Sequence, residues 1–251
     1  MDPLNRFSSR VQDYVRYRPG YPQEITGFLT TTCSVTPMSI IADVGSGTGI
    51  FSELLLRNGN SVFGVEPNKA MRAAAEEILR SYPNFNSIDG SAESTTLGDQ
   101  SVDLITAAQA WHWFDRPLAR KEFRRILRPN GWVVLVWNER RLASTDFLRD
   151  YEEVLLKHGT DYKEVRHENV EPEVASFFEP GDFQFASFDN HQHLDLDGFL
   201  GRAFSSSYTP QPGKPGYEPM VADLNKVFRT HQVHGKVTIE YDTKLFYGHL
   251  R

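Results

Sequence analysis

The stretch at residues 40–51 reads IIADVGSGTGIF, an apolar run followed by three alternate glycines and then by the start of a helical pattern. Successive apolar residues indicate a strand that is covered on both faces. Glycines let a ligand approach the backbone closely, and the N–H groups at the start of a helix face such a ligand. The stretch therefore predicts a nucleotide-type site at a strand, loop and helix turn.

The spacing of these glycines bears on the class of nucleotide. A dinucleotide loop reads G-x-G-x-x-G, whereas here the third glycine comes one residue early and an acid stands two residues before the first. A match can still be obtained from Gly47 and Gly49 with Ser52 as the third residue, so an NAD(P)-linked oxidoreductase stays open. Glu66 ends the next predicted strand, where a carboxylate accepts hydrogen bonds from both ribose hydroxyls of a nucleoside.

Short β-rich runs alternate with helix-period stretches from about residue 22 to residue 137, which is typical of a parallel sheet flanked by helices. Asn68 and Pro117 stand at the starts of two predicted helices, and the second helix is expected to end at Arg128. These patterns predict an α/β, Rossmann-like doubly wound sheet. Its strands are predicted at residues 39–44, 61–66, 85–89, 101–108 and 131–138.

Beyond residue 138 the alternation of strands and helices weakens. Runs at 183–188 and 236–250 alternate apolar with polar residues, which suits strands that have one wetter face. They are predicted to extend one edge of the sheet, the last strand being antiparallel. Helices are predicted at 197–204 and from the Pro/Gly-rich loop at 210–219 to about His234.

Composition limits the function classes. Apolar residues make up 39% of the 251 residues and charged residues 24%, which excludes disorder and fibrous structure. The formal net charge of −6 disfavours a nucleic-acid partner. A single cysteine, Cys33, excludes a disulfide framework and a cysteine-based zinc site. No run approaches the roughly 20 apolar residues that span a bilayer, and the start lacks a secretory signal, so no membrane partner and a cytoplasmic location are expected.

Several segments together carry a family resemblance. They resemble motifs of the class I S-adenosylmethionine-dependent methyltransferases over roughly residues 10–140, and they are similar to the small-molecule group that includes trans-aconitate-type methyltransferases. The segments are DVGSGTG (43–49), Glu66, FNSIDGSAES (85–94), SVDLITAAQAWHWFD (101–115), FRRILRPNGWVVLVWN (123–138) and the N-terminal YRPGYP (17–22).

This resemblance implies a seven-stranded sheet with a reversed C-terminal β-hairpin, S-adenosylmethionine as cofactor, no metal, and a small-molecule acceptor whose methylated atom is a hydroxyl or carboxylate oxygen rather than nitrogen or carbon. Family members often carry an aspartate at the position of Ser91, so the adenine contact there is expected to be weak, water-mediated or supplied by Glu93. The implied cofactor residues are Asp43, Gly45, Ser46, Gly47, Thr48 and Gly49 around the methionine portion, Glu66 on the ribose, Pro67, Asn68, Ala92 and Glu93 beside the adenine, and Ala108 and Gln109 against the sulfonium.

The aromatic segment WHWFD at 111–115 follows an apolar strand, at the rim where doubly wound sheets bind ligands. Trp111 and Trp113 either belong to the core or face the sulfonium cation, which an aromatic ring attracts. His112 is the candidate general base for a hydroxyl or amine acceptor, because its ordinary pKa lies near neutrality. A carboxylate acceptor requires no base, and His112 would then orient the acceptor or pack.

The N-terminal segment YVRYRPGYP at 14–22 interleaves aromatic rings with cations. One interpretation is a lid in which Tyr14, Tyr17 and Tyr21 cover the cofactor while Arg18 pairs with a carboxylate of cofactor or substrate. The other interpretation is a surface loop with ordinary salt bridges.

A single domain is predicted, with residues 1–36 as N-terminal lid and helix, 37–140 as cofactor-binding core, and 141–251 as C-terminal insertions on the acceptor side together with the edge strands. Arg140 and Tyr208 are candidates for contacts to the acceptor, although each taken singly is better explained as a turn or helix-end residue. Methyl transfer is the leading function. A non-catalytic nucleoside-binding module on the same fold is the further alternative to an oxidoreductase.

Overall fold

The computed structural model of the chain describes residues 15–160, 162, 171–206 and 208–250, and of residues 171 and 172 only the backbone. Within these ranges the strands are β1 (Ile40–Val44), β2 (Ser61–Val65), β3 (Phe85–Ile88), β4 (Val102–Ala108), β5 (Leu127–Arg140), β6 (Phe183–Leu194) and β7 (Val237–Gly248). They form one sheet in the order β3-β2-β1-β4-β5-β7-β6. Neighbours from β3 to β5 are parallel, whereas β7 runs antiparallel to both β5 and β6. The predicted α/β sheet with a reversed C-terminal hairpin is confirmed.

The helices of the same ranges cover both faces of the sheet. They are α1 (Glu24–Cys33), α2 (Ile50–Arg57), α3 (Lys69–Ile78), α4 (Arg116–Ile126), α5 (Asp146–His158), α6 (Glu171–Phe178), α7 (Leu196–Phe204) and α8 (Tyr217–His231), with one 3-10 turn at Trp111–Trp113. Asn68 caps α3 as expected, because its Oδ1 accepts hydrogen bonds from the backbone N–H groups of Ala70 and Met71 at 3.0 and 3.1 Å. Pro117 lies in the first turn of α4, where a backbone N–H would have no partner within the helix, so the missing N–H of proline costs no hydrogen bond.

Strand β1 is buried on both faces, which explains its continuous apolar sequence. Ile41 packs in the apolar layer that contains α1 and α2, whereas Ala42 and Val44 pack in the opposite layer with α4 and α6. A third apolar cluster joins α5, α7 and α8 to the first half of β7. The carboxyl ends of β1, β2 and β4 therefore lie at one end of the sheet, and the third cluster lies at the same end.

The start of β5 differs from the prediction. Helix α4 ends at Ile126 rather than Arg128, and β5 begins at Leu127 rather than Gly131. Leu127 pairs with Val102 of β4, and the register then shifts before the main pairing resumes. Asn130 lies in this irregular stretch at φ 64°, so the segment Pro129, Asn130 and Gly131, a sequence typical of turns, is a bulge inside the strand rather than its boundary.

Candidate functional site

A pocket of about 400 Å³ lies at the carboxyl ends of β1, β2 and β4. Its size is typical of small-ligand sites, and its position is the point where the strand order reverses in a doubly wound sheet. The predicted cofactor residues line it with the exception of Gly49. The lining ones are Asp43, Gly45, Ser46, Gly47, Thr48, Glu66, Pro67, Asn68, Ser91, Ala92, Glu93, Ala108 and Gln109.

The three alternate glycines all adopt the left-handed backbone conformation that side chains other than glycine rarely take. The φ angles are 69° at Gly45, 56° at Gly47 and 84° at Gly49. A Cβ on Gly45 would lie 2.4 Å from the Cβ of Ala110, and one on Gly49 would lie 2.6 Å from Cδ1 of Leu79. A Cβ on Gly47 would meet nothing within 4 Å. Gly47 therefore borders open pocket, whereas its two neighbours pack against protein.

Glu66 holds two separate backbone segments with its carboxylate. Oε2 accepts a hydrogen bond from the N–H of Gly47 at 3.0 Å, and Oε1 accepts one from the N–H of Asn68 at 2.8 Å. Burial raises the pKa of Glu66 above its ordinary value. Since a carboxylate offers about four lone-pair sites, two of them are left for hydroxyl donors of a ligand.

Asp43 is fully buried at the end of β1 and lines the same pocket. Its Oδ2 accepts a hydrogen bond from the Ser52 hydroxyl at 2.6 Å, and its Oδ1 accepts one from the Thr106 hydroxyl at 2.9 Å. Burial is the main reason why the pKa of Asp43 is raised from 3.8 to about 6. The ionised form is thus poorly solvated by the protein alone, and it suits a cationic ligand group.

The raised pKa predicts a pH dependence of stability that Asp43→Asn removes. Because the folded state holds this proton more tightly than the unfolded state, wild type should lose stability relative to Asp43→Asn as pH rises from 3.8 to about 6. The relative loss should be on the order of 3 kcal/mol over the whole window, of which about 2 kcal/mol falls between pH 4.5 and pH 7.5, and it should level off at higher pH. Urea unfolding of both proteins at pH 4.5 and pH 7.5 measures it, and an equal change in both proteins would contradict the burial argument.

The aromatic segment divides between pocket and core. Trp113 lines the pocket with 39% of its surface exposed, and Phe114 lines it as well. Trp111 is fully buried, because its ring packs edge-on against Trp137 at 5.9 Å between centroids. The His112 ring lies 4.7 Å from the Trp113 ring, and His112 is outside the set of residues that line the pocket.

The predicted lid residues also divide. Tyr21 lines the pocket, with its ring 4.8 Å from the Phe51 ring. The Tyr17 ring lies against α7, where a Cβ on Gly201 would come within 2.3 Å of Cε2 of Tyr17. Arg18 donates from Nη2 to the carbonyl oxygen of Ser205 at 3.1 Å. Tyr17 and Arg18 thus pack beside the pocket rather than in its wall, and the predicted lid residue Tyr14 lies outside the described residues.

Arg140 and Tyr208, the two candidates for acceptor contacts, meet around one phenol. Arg140 donates from Nη2 to the Tyr162 hydroxyl at 2.9 Å, and the rings of Tyr162 and Tyr208 lie 4.8 Å apart. Neither candidate lines the 400 Å³ pocket. They belong to a separate polar cluster of Arg140, Tyr162 and Tyr208.

Some residues that line the pocket were not predicted from the sequence, because apolar residues in a helical pattern usually face the core. Phe51 and Met71 belong to apolar helix patterns, yet each lies in the first turn of its helix, which borders the carboxyl ends of the strands. The position of a first turn after a strand is the signal that would have found them. The missed lining residues are Ile50, Phe51, Met71, Ala110 and Phe114.

The described part of the chain holds neither a candidate metal cluster nor a candidate membrane-spanning helix. No group of three histidine, cysteine, aspartate or glutamate side chains converges there as a metal site. No helix among those ranges has the length and apolar character needed to cross a membrane. His191 and His193 of β6 lie 4.8 Å apart between ring centroids, and His193 hydrogen-bonds to the Thr238 hydroxyl.

Comparisons with known proteins agree on one family. The family profile described as a methyltransferase domain matches residues 42–135. An "Uncharacterized methyltransferase" of Mycobacterium tuberculosis is 36% identical over 201 residues, which are 79% of this chain and 76% of that protein. An "Uncharacterized methyltransferase-like" protein of Schizosaccharomyces pombe is 37% identical over 138 residues, 55% of this chain and 53% of its own length. The chain thus spans about half the length of the fission-yeast relative that it matches.

A solved structure extends the agreement to nearly the whole chain. The "Putative Type II Methyltransferase" from Anaeromyxobacter dehalogenans superposes with a TM-score of 0.69 at 25% identity, covering 93% of this chain and 98% of that one. The sheet order, the pocket beside the glycine loop and these relatives lead to the same family. The chain belongs to the class I methyltransferases, the family that takes its methyl group from S-adenosylmethionine.

Proposed function

We propose that this chain transfers the methyl group of S-adenosylmethionine to an oxygen of a small-molecule acceptor, a hydroxyl or a carboxylate being favoured over nitrogen or carbon. The observation that carries the proposal is the Glu66 carboxylate, which is held by the backbone of Gly47 and Asn68 and keeps acceptor sites for ribose hydroxyls. Family membership supports the reaction class. The net charge of −6 supports a small acceptor over a nucleic acid.

The residues of the pocket fit this cofactor. Thr48 is buried and its hydroxyl oxygen has no hydrogen-bond partner in the described ranges, so a polar group of a ligand would satisfy it. The Asp43 carboxylate suits the cationic amino-acid portion, and the apolar side chain of Met71 suits the adenine ring. Gln109, at φ 55°, is held in a strained backbone conformation of the kind that clusters at functional sites.

When bound, S-adenosylmethionine supplies a methyl group that is already activated by a positively charged sulfur. The chain therefore needs chiefly to orient the acceptor and to exclude water, which brings reacting atoms to about 3 to 3.5 Å. Trp113, Phe114 and Tyr21 offer aromatic walls that exclude water and attract a cation. The loop of Gly45 to Thr48 fixes where the cofactor lies relative to these walls.

The role of His112 depends on the acceptor atom. A carboxylate acceptor carries no proton to remove, so we expect His112→Ala to keep turnover within about tenfold of wild type, with any loss appearing in acceptor KM. The pH profile of the variant should match that of wild type. A fall of about 10² to 10⁴ in turnover, together with loss of a pH-dependent step near the histidine pKa, would instead identify His112 as a general base for a hydroxyl acceptor.

The proposal is tested first by cofactor class and then by turnover. A ligand at about 100 times its dissociation constant stabilises a protein by about 2.7 kcal/mol, so S-adenosylhomocysteine should raise the melting temperature whereas NADH should not. Transfer of a labelled methyl group to a metabolite pool, read by mass spectrometry, should then give a methylated product. Binding of S-adenosylhomocysteine without any turnover across acidic and hydroxylated acceptors would favour the non-catalytic module.

A further inference from the structure

Arg202 is a buried cation that has no carboxylate partner among the described residues. Its residue surface is only 7% exposed, within the cluster formed by α5, α7, α8 and β7. Nε donates to the Tyr241 hydroxyl at 3.1 Å, and Nη1 donates to the Ser206 hydroxyl at 3.1 Å. No carboxylate of the described residues forms an ion pair with it. Burying a charge is unfavourable unless it is paired, so a bound anion would stabilise this guanidinium.

Arg140 offers a second buried donor that lacks a hydrogen-bond acceptor among the described residues. Its side chain is 9% exposed and its Nη2 forms an ion pair with Glu152. Nη1 is buried, and it has no hydrogen-bond partner in the part of the chain that the structure describes. The guanidinium carbon lies 4.8 Å from the centroid of the Tyr151 ring, which holds the plane of the group in place.

The two arginines belong to one site. Arg140 of β5 and Tyr241 of β7 are direct partners across an antiparallel pair, so their side chains share a face of the sheet. The Tyr241 hydroxyl accepts from Arg202, and it donates to Oε1 of Gln192 at 2.8 Å. Arg140 is paired with Glu152, whereas Arg202 has no carboxylate partner among the described residues, so one of the two buried positive charges is uncompensated there.

Strand β5 connects the arginine pair to the cofactor pocket. Gln109 lines that pocket and donates from Nε2 to the carbonyl oxygen of Asn138 at 3.0 Å. Asn138 precedes Arg140 by two residues on β5, so their side chains lie on the same face about 7 Å apart. The Asn138 amide also donates to the carbonyl oxygen of Gly20, next to the pocket residue Tyr21. Along β5, Arg140 is therefore only two residues from Asn138, the residue that Gln109 of the cofactor pocket contacts.

We propose that Arg202 and the Nη1 atom of Arg140 bind a carboxylate of the methyl acceptor, which makes the acceptor an organic acid. This assignment rests on the proposed function, since it takes the site beside the pocket as the acceptor site. The planar guanidinium presents paired N–H donors that match the two oxygens of a carboxylate. The surplus positive charge selects acids over their uncharged amides, and Tyr241 fixes the direction in which Arg202 points.

The test measures binding of succinate to the protein saturated with S-adenosylhomocysteine, by calorimetry, with succinamide as the uncharged analogue and inorganic phosphate as the alternative anion. Wild type should bind succinate at least about tenfold more tightly than succinamide, and more tightly than phosphate. Arg202→Gln should weaken succinate by about tenfold or more, and Arg202→Lys should recover part of that loss. Arg141→Gln is the matched control, because Arg141 already pairs with Asp242 and Asp189.

The outcomes separate this proposal from the proposed function. If wild type fails to bind S-adenosylhomocysteine, the proposed function fails. If the cofactor product binds equally to wild type and Arg202→Gln, but succinate affinity is unchanged in Arg202→Gln or equals that of succinamide, the carboxylate site is overturned while the function stands. Tighter binding of phosphate than of succinate likewise overturns it. Should Arg202→Gln not fold, Arg202→Lys and the comparison of succinate with succinamide on wild type still decide.

Discussion

Replacing Glu66 by alanine is expected to weaken S-adenosylhomocysteine binding by about a hundredfold or more while the protein stays folded. A hydrogen bond to a charged group contributes roughly 1.5 to 3 kcal/mol, and Glu66 is proposed to accept one from each ribose hydroxyl. The same change releases the N–H groups of Gly47 and Asn68, which loosens the two loops that border the ligand. Calorimetry with S-adenosylhomocysteine measures the affinity, and circular dichroism measures the fold.

Two further variants make this result specific. Glu66→Gln keeps the shape but removes the charge and replaces one acceptor oxygen by an NH2 donor, so its affinity should fall between those of wild type and Glu66→Ala. Glu53→Ala removes a partly exposed carboxylate of α2 that pairs with Arg57 at 2.7 Å, away from the pocket lining, and should bind as wild type does. Wild-type affinity in Glu66→Ala would reject the assignment of the ribose site.

The glycine loop was predictable because its chemistry is local. A left-handed backbone at three alternate positions strongly favours glycine whatever surrounds it, and the strand before the loop is recognisable from its apolar sequence. The start of β5 was not predictable in the same way. Pro129, Asn130 and Gly131 read as a turn, and only the pairing of Leu127 with Val102 across the sheet makes the stretch part of a strand.

Side chains that look equivalent in the sequence take different positions in the fold because of tertiary contacts. Trp111 and Trp113 are two residues apart, yet the 3-10 turn directs one ring into the core and the other to the pocket. Tyr17 packs on α7 because Gly201, far along the chain, leaves room for its ring. Arg202 carries no motif, and its lack of a carboxylate partner among the described residues is visible only once β7 and α7 are brought together. Such contacts have no local signature.

Gly47→Val is expected to abolish measurable S-adenosylhomocysteine binding while it lowers stability by only about 1 to 3 kcal/mol. The stability loss comes from φ 56°, which a β-branched residue adopts only under strain. The binding loss has a different origin. A side chain at Gly47 meets no protein atom within 4 Å and lines the pocket, so its methyl groups occupy the space of the ligand.

Gly49→Val is the matched control, because it places the same side chain two residues further along the same loop. Its φ of 84° imposes similar strain, but its Cβ would lie 2.6 Å from Cδ1 of Leu79, inside the core behind the loop. Overpacking adds about 1 to 3 kcal/mol, so Gly49→Val should be the less stable variant and yet the better binder, since Gly49 does not line the pocket. Urea unfolding of both variants gives the order of their stabilities, and calorimetry gives the order of their affinities for S-adenosylhomocysteine. If Gly47→Val binds S-adenosylhomocysteine better than Gly49→Val does, the glycine loop is not the cofactor wall.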